Sequence, residues 1–216
     1  MIDPIVRDHL RGFADLLEYP TPALPEALRR LQARLAEFDA AAAQELRPFA
    51  GYVAVTPTTQ LEEAYTSMFD LDPKCHLYIG YHLFGDSYKR SAFLLGLKER
   101  FGASGFSVDD ELPDHLSTLL RFVAMTRDET EAGEIVADAL RPALDTMTGR
   151  NAPVAAAEQT DEAPAPPEAP RPGAAYLGVL ESLRLVLARI APDHSASLET
   201  AEHAHDLATA DGRTGG

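Results

Sequence analysis

Cys75, the only cysteine of this 216-residue chain, stands beside His76, and His82 follows six positions later. A thiol next to an imidazole suggests a Cys–His nucleophile. Adjacent residues on a helix point about 100° apart, however, so adjacency does not bring a base to the sulfur. A lone cysteine more often packs as a small hydrophobe, and Cys75 is read that way. A metal site is no better supported. His76 and His82 do not share a helix face, no H-E-x-x-H occurs, and one cysteine excludes both paired-thiolate zinc and an internal disulfide. His203 and His205, with His194 upstream, form a His-x-His that lacks further ligands and an outer shell. His9 falls on an apolar helix face and is expected in the core, whereas His115, within "LPDHL", is expected at the surface. There is no G-x-x-x-x-G-K-[ST], and the glycines at 102 and 105 have no strand before them. The acid pairs Glu62–Glu63 and Asp109–Asp110 diverge as chain neighbours and read as solvated faces. No catalytic constellation survives, which argues against an enzyme.

The elements that would position these residues are helices. Val6, Leu10, Phe13 and Leu17 mark one helical face, and the prolines of "YPTPALP" end it. Leu24, Leu28, Leu31, Leu35 and Phe38 form a second stripe, too short for a coiled coil and suited to a bundle core. Leu46, Phe49 and Val53 follow Pro48; then Thr59 and Glu62 resemble a capping box ahead of Leu61, Tyr65, Met68 and Phe69. Asp72–Pro73 stops that helix. Leu77, Tyr81 and Phe84 predict another, and Gly85–Asp86 breaks and restarts the chain with Asp86 as N-cap. Leu94, Leu97 and Phe101 continue the pattern. Pro113 is expected at the first position of a helix carrying Leu116, Leu119, Leu120 and Val123. Ile135, Val136, Ala139 and Leu140 lead to a kink at Pro142. Strand signals are almost missing. The reading is an all-α single bundle of roughly six to eight helices over residues 1–150. Residues 151–173, rich in Pro, Ala and Glu, read as a flexible linker. Leu177, Leu180, Leu183, Leu187 and Ile190 define a C-terminal amphipathic helix over 174–191, and 192–216 reads as a disordered tail.

With 45% hydrophobic residues the chain can fill a core, and its net charge of −15 argues against gripping a phosphate backbone. No secretory leader and no membrane-length apolar run is visible, so a cytoplasmic protein without membrane insertion is expected. The charge is uneven: residues 106–150 hold ten acids against four arginines, whereas 51–105 are nearly balanced. An acidic rim beside an apolar groove would suit a peptide bearing Lys or Arg.

One stretch remains unexplained by a core. Tyr65, Phe69, Tyr78, Tyr81, Phe84 and Tyr88 lie within 24 residues of a chain that is only 7% aromatic. Tyrosine covers apolar area and keeps a polar tip, which suits a binding surface. Phe69 and Phe84 are assigned to the core. The tyrosines, with Asp70, Asp86, Lys89 and Arg90, are binding candidates.

The same residues carry a family pattern. Leu61-x3-Tyr65-x3-Phe69-Asp70, then "LYIGYHLFGDSYKR", then "ELPDHL" at 111–116, with "LLEYP" at 16–20, resembles the NarJ family. These are the nitrate reductase delta-subunit or molybdenum-cofactor assembly chaperones, within the TorD-like redox-enzyme maturation proteins. The resemblance runs from about residue 8 to 147, in the family's order. Tyr88 stands where the family commonly has an arginine, and Lys89-Arg90-Ser91 replaces its Arg-Gly ending.

The resemblance implies an all-α chaperone without catalysis of its own. It would bind the N-terminal peptide of the apo catalytic subunit of a molybdoenzyme until the molybdenum bis-guanine-dinucleotide cofactor is inserted there, holding no cofactor stably itself. It would be a monomer or weak dimer. Tyr65, Phe69 and Tyr81 would wall a client groove, Leu77 and Tyr78 would anchor the client, and Asp70 and Asp86 would meet its polar face. Lys89 and Arg90 would fix the bundle or touch client acids. Other readings stay open at this point: a stable structural subunit of a redox complex, a Cys75-dependent enzyme or switch, or a chaperone for a perchlorate, selenate or related reductase or dehydrogenase.

Overall fold

The computed structural model describes residues 2–71, 75–108, 111–150 and 172–190. All regular structure among them is helical: α1 (Pro4–Leu16), α2 (Leu24–Phe38), α3 (Ala40–Glu45), α4 (Arg47–Val55), α5 (Thr58–Tyr65), α6 (Ile79–Phe84), α7 (Tyr88–Ala103), α8 (Leu116–Met125), α9 (Glu129–Glu134), α10 (Arg141–Met147) and α11 (Pro172–Leu187). π-Helical turns at Thr66–Asp70 and Ile135–Leu140 extend α5 and join α9 to α10. Joining contiguous pieces leaves ten rods among the described residues, nine of them within 1–150, where the short α3 stands as a separate segment ahead of α4. The residues 151–171 read as linker and 192–216 read as tail lie outside the described residues.

The stripes do what their spacing dictates. Val6, Leu10 and Phe13 of α1, and Leu24, Leu28, Leu31 and Leu35 of α2, are buried. α1 lies along α8 and α2, and two of its arginines close the end of α8. Arg7 donates to the Val123, Ala124 and Thr126 carbonyls (3.1, 3.3 and 2.6 Å) and Arg11 to that of Ala124 (3.0 Å). Those are the carbonyls a helix end leaves unpaired. His9 is buried against the Phe38 ring, as its face predicts.

α11 docks on α3 and α4 and also meets α1 and α10. Its Tyr176 completes a cluster with Phe49 (4.7 Å between ring centres), Phe69 (5.0 Å) and Tyr65 (6.2 Å). Ser182 fixes the register by donating to the Ala42 carbonyl at 2.7 Å.

Helix starts differ from expectation in three places. α5 begins at Thr58 with Pro57 at the cap; the Gln60 and Leu61 N–H groups bond back to the Pro57 carbonyl, so Thr59 is already inside the helix and forms no capping box. α7 begins at Tyr88 with Ser87 at the cap, which leaves Asp86 exposed one position outside. α8 begins at Leu116; Pro113 sits in the preceding turn, and His115 takes the cap and is buried rather than exposed. At Pro142 the missing N–H is accommodated without a broken rod, because the π-turn immediately before it absorbs the change in pitch. Among the described residues no helix is long and apolar enough to cross a membrane.

Candidate functional site

The tyrosine-rich stretch folds as a short extended piece, α6, a glycine corner and α7. Leu77 and Tyr78 are held extended by the 111–116 segment: the Ile79 N–H donates to the Asp114 carbonyl (2.8 Å) and the Leu116 N–H to the Leu77 carbonyl (2.7 Å). This makes an antiparallel bridge between Tyr78 and His115. Gly85 ends α6 with φ 58° and ψ −155°, a backbone conformation essentially reserved for glycine, and so sets where α7 starts.

The two segments are also tied by a buried ion pair. Arg90 Nε donates to Asp114 Oδ2 at 3.1 Å; the Asp114 side chain is fully buried and that of Arg90 is 21% exposed. Gly80 makes room for the pair, since a Cβ there would come within 2.8 Å of Asp114 Oδ2 and 3.1 Å of Arg90 Cγ. The Arg90 guanidinium lies over the Tyr78 ring (5.6 Å), His115 packs edge-on against the same ring (5.4 Å), and the Tyr78 hydroxyl donates to Glu111 Oε1 (3.2 Å). Burial pushes the Tyr78 hydroxyl pKa up, and the nearby Glu111, Asp114 and Asp70 charges push the same way. Carboxylates from two segments, Glu111 and Asp114 of 111–116 and Asp70 of the π-turn, thus contribute negative potential at one tyrosine.

Below this surface, Tyr65 and Phe69 are buried, with their rings 5.0 Å apart, and Leu77 is buried too. The Tyr65 hydroxyl donates to the Leu17 carbonyl at 3.0 Å, and burial raises its pKa far above the ordinary value. These three side chains support the surface from within instead of lining a groove, because the α11 tyrosine covers the aromatic pair. Tyr81 is half-buried beside His76 and His82 (5.5 and 5.9 Å between rings). Asp70, Asp86, Tyr88 and Lys89 are exposed.

The histidines act as staples. His76 Nδ1 lies 2.8 Å from the Phe69 carbonyl and His82 Nε2 lies 2.6 Å from the His76 carbonyl. A carbonyl only accepts, so both ring nitrogens donate. Burial lowers the His82 pKa, favouring the neutral ring. Cys75 is half-buried and packs against the core beside this loop. Another chain runs from His115 Nδ1 to Ser117 Oγ (2.7 Å) and on to Glu18 Oε1 (2.8 Å), with Arg121 on the same carboxylate (2.5 Å). Ser117 donates to the carboxylate and accepts from the imidazole. That is the reverse of the proton order that activates a serine nucleophile. Among the described residues no group of three His, Cys, Asp or Glu could hold a metal ion.

The structure therefore brings Tyr78 and Arg90 together with Glu111 and Asp114, leaves Asp70 exposed at the end of the π-turn Thr66–Asp70, and puts Asp86 and Lys89 at the open start of α7. Sequence reading missed the Arg90–Asp114 pairing and the His115–Ser117–Glu18 chain. The only signal available was the second block, "ELPDHL", whose register against the first is set by tertiary contact.

Residues 23–150 match the family described as nitrate reductase delta subunit. The chain belongs to that family. The match contains both segments of the Tyr78–Arg90–Asp114 knot and stops short of α11. A curated relative, the probable nitrate reductase molybdenum cofactor assembly chaperone NarJ of Bacillus subtilis (strain 168), is 37% identical over 70 residues. That alignment covers 32% of this chain and 38% of the relative, so the chain spans well under half of the relative's length.

Proposed function

We propose that this delta-family protein is an assembly chaperone for a molybdenum-dependent nitrate reductase. It would bind the N-terminal region of the apo catalytic subunit in the cytoplasm and keep it receptive to molybdenum bis-guanine-dinucleotide before membrane assembly. The observation that carries the reading is the family match across 23–150, which contains the knotted tyrosine surface; the NarJ relative, named as a chaperone for that cofactor's assembly, supports it. The client-facing residues are Asp70, Tyr78, Tyr81, Asp86, Lys89 and Arg90, with Tyr65, Phe69 and Leu77 holding them from beneath. The protein works as a monomer or weak dimer. The negative field around Tyr78, on a chain of net charge −15, favours a client segment carrying Lys or Arg.

The test is co-expression of the catalytic subunit with and without this chain, reading molybdenum content and nitrate reduction. Full cofactor loading without the chain would sink the proposal. One rival, a permanent component of the finished enzyme, predicts co-purification with the molybdenum-loaded form. Within the chaperone reading, Tyr81→Ala and Asp86→Ala should each weaken binding of the client's N-terminal peptide by about five- to tenfold, the range of an interface residue worth roughly 1 kcal/mol or more. Unchanged affinity, with helix content intact by circular dichroism, removes that residue from the site.

A further inference from the structure

The chain from His115 through Ser117 to Glu18 settles where the imidazole proton sits. Arg121 holds Glu18 as a carboxylate (2.5 Å) and also reaches Asp15 (3.0 Å), so Glu18 can only accept. The Ser117 hydroxyl has one proton and donates it to Glu18 Oε1 at 2.8 Å. Its oxygen can then only accept from the imidazole, 2.7 Å away, so His115 Nδ1 carries the proton and Nε2 keeps a bare lone pair.

That lone pair is not used by the fold. No described donor reaches His115 Nε2, yet the atom is not sealed in, unlike both ring nitrogens of His9. The residue is 6% exposed and stands edge-on to Tyr78, inside the tyrosine surface. Charged groups face it from every side. Glu18 lies just past α1, Glu111 and Asp114 lie in its own segment, Arg121 is on α8, and Arg90 of α7 covers the shared Tyr78 ring. Burial lowers the His115 pKa below the ordinary 6.5; Arg121 acts in the same sense, and the three carboxylates oppose it. A neutral acceptor is thus presented among carboxylates, a setting that favours an N–H of a cationic side chain.

We propose that His115 is a further client-contacting residue, which offers Nε2 as a hydrogen-bond acceptor to a Lys or Arg of the client, and that Ser117 and Glu18 are positioning residues that hold it in this tautomer. Protonation turns Nε2 into a donor and sets a second cation beside Arg90, so acid releases the client at this one atom. The identity of the donor rests on the chaperone reading; the tautomer does not.

A long-range 1H–15N correlation spectrum of the full chain at neutral pH reads the tautomer directly. It should show His115 protonated at Nδ1 alone. Ser117→Ala should free the ring to take the other tautomer, and Glu18→Gln, whose amide can donate to Ser117, should do the same. The binding probe is a synthetic peptide of the catalytic subunit's N-terminal region. Its affinity should be flat above about pH 7 and fall about five- to tenfold by about pH 5.5, a window above carboxylate titration, with helix content checked by circular dichroism at each pH. His115→Gln, which cannot titrate there, should remove the step, and Ser117→Ala should weaken binding about fivefold at neutral pH. A wild-type ring protonated at Nε2, or a pH step that His115→Gln leaves in place, overturns the inference while the chaperone reading stands. If the wild-type chain binds the peptide at no pH, the chaperone reading fails and the acceptor role falls with it.

Discussion

Arg90→Met tests the ion pair that ties the family's two sequence blocks together. Methionine keeps most of the arginine stem and removes the guanidinium, so the perturbation is largely one of charge. Asp114 is fully buried, and its Oδ1 has no hydrogen-bond partner among the described residues, so that carboxylate is compensated by the 3.1 Å contact of Oδ2 with Arg90. Removing one partner of a buried pair costs about 3–5 kcal/mol. The Arg90 side chain is 21% exposed, so water can enter when it is cut back, and the expected cost falls to about 2–3 kcal/mol. Urea unfolding at neutral pH, followed by far-UV circular dichroism, reads this directly as a lowered midpoint at unchanged slope. Asp114→Asn removes the charge while keeping the shape and the backbone carbonyl that receives the Ile79 N–H. The double variant should therefore recover at least half of the loss, with a coupling of about 1.5 kcal/mol or more in the double-mutant cycle. A single-variant cost below about 0.5 kcal/mol, or a coupling near zero, would refute the claim that this pair locks the two segments.

Gly178 on α11 faces the Glu45 carbonyl, and a Cβ there would lie 2.3 Å from that oxygen, whereas Gly51 on α4 has nothing within 4 Å. Gly178→Ala should destabilise by about 1–2 kcal/mol, overpacking outweighing the helix-propensity gain, while Gly51→Ala should stabilise by up to about 1 kcal/mol; thermal unfolding of both settles it, and a stabilised Gly178→Ala would mean that α11 does not sit this close to α3. Burial lowers the pKa of His9, His82 and His115 below the ordinary 6.5. The unfolded chain then binds more protons than the folded one as pH falls below about 6.5, so their contribution to stability is complete above that pH and shrinks toward the lower folded values. The urea midpoint should drop between pH 7 and about 5.5, a window above the ordinary range of carboxylate titration, and a flat profile there would contradict the burial of these rings.

What the sequence determined is the periodic part of the molecule. An apolar side chain every three or four residues can be buried only by a helix with its stripe turned inward, so the all-α class, the faces of α1 and α2 and the core position of His9 follow from spacing. The ordered blocks "LYIGYHLFGDSYKR" and "ELPDHL" made the family legible for the same reason, since a motif is a local property of the chain. Tertiary structure decided which of those residues face outward. Tyr65 and Phe69 have the types of a binding surface but are buried, because Tyr176, more than a hundred residues away, supplies the ring that covers them. His115 has the type of a surface residue but is enclosed, because the extended Leu77–Tyr78 piece and the Ser117–Glu18 chain close around it. The pairing of Arg90 with Asp114 likewise exists only once distant segments meet. Spacing specifies which side of a helix is apolar; only the packed partners specify which part of that side remains open.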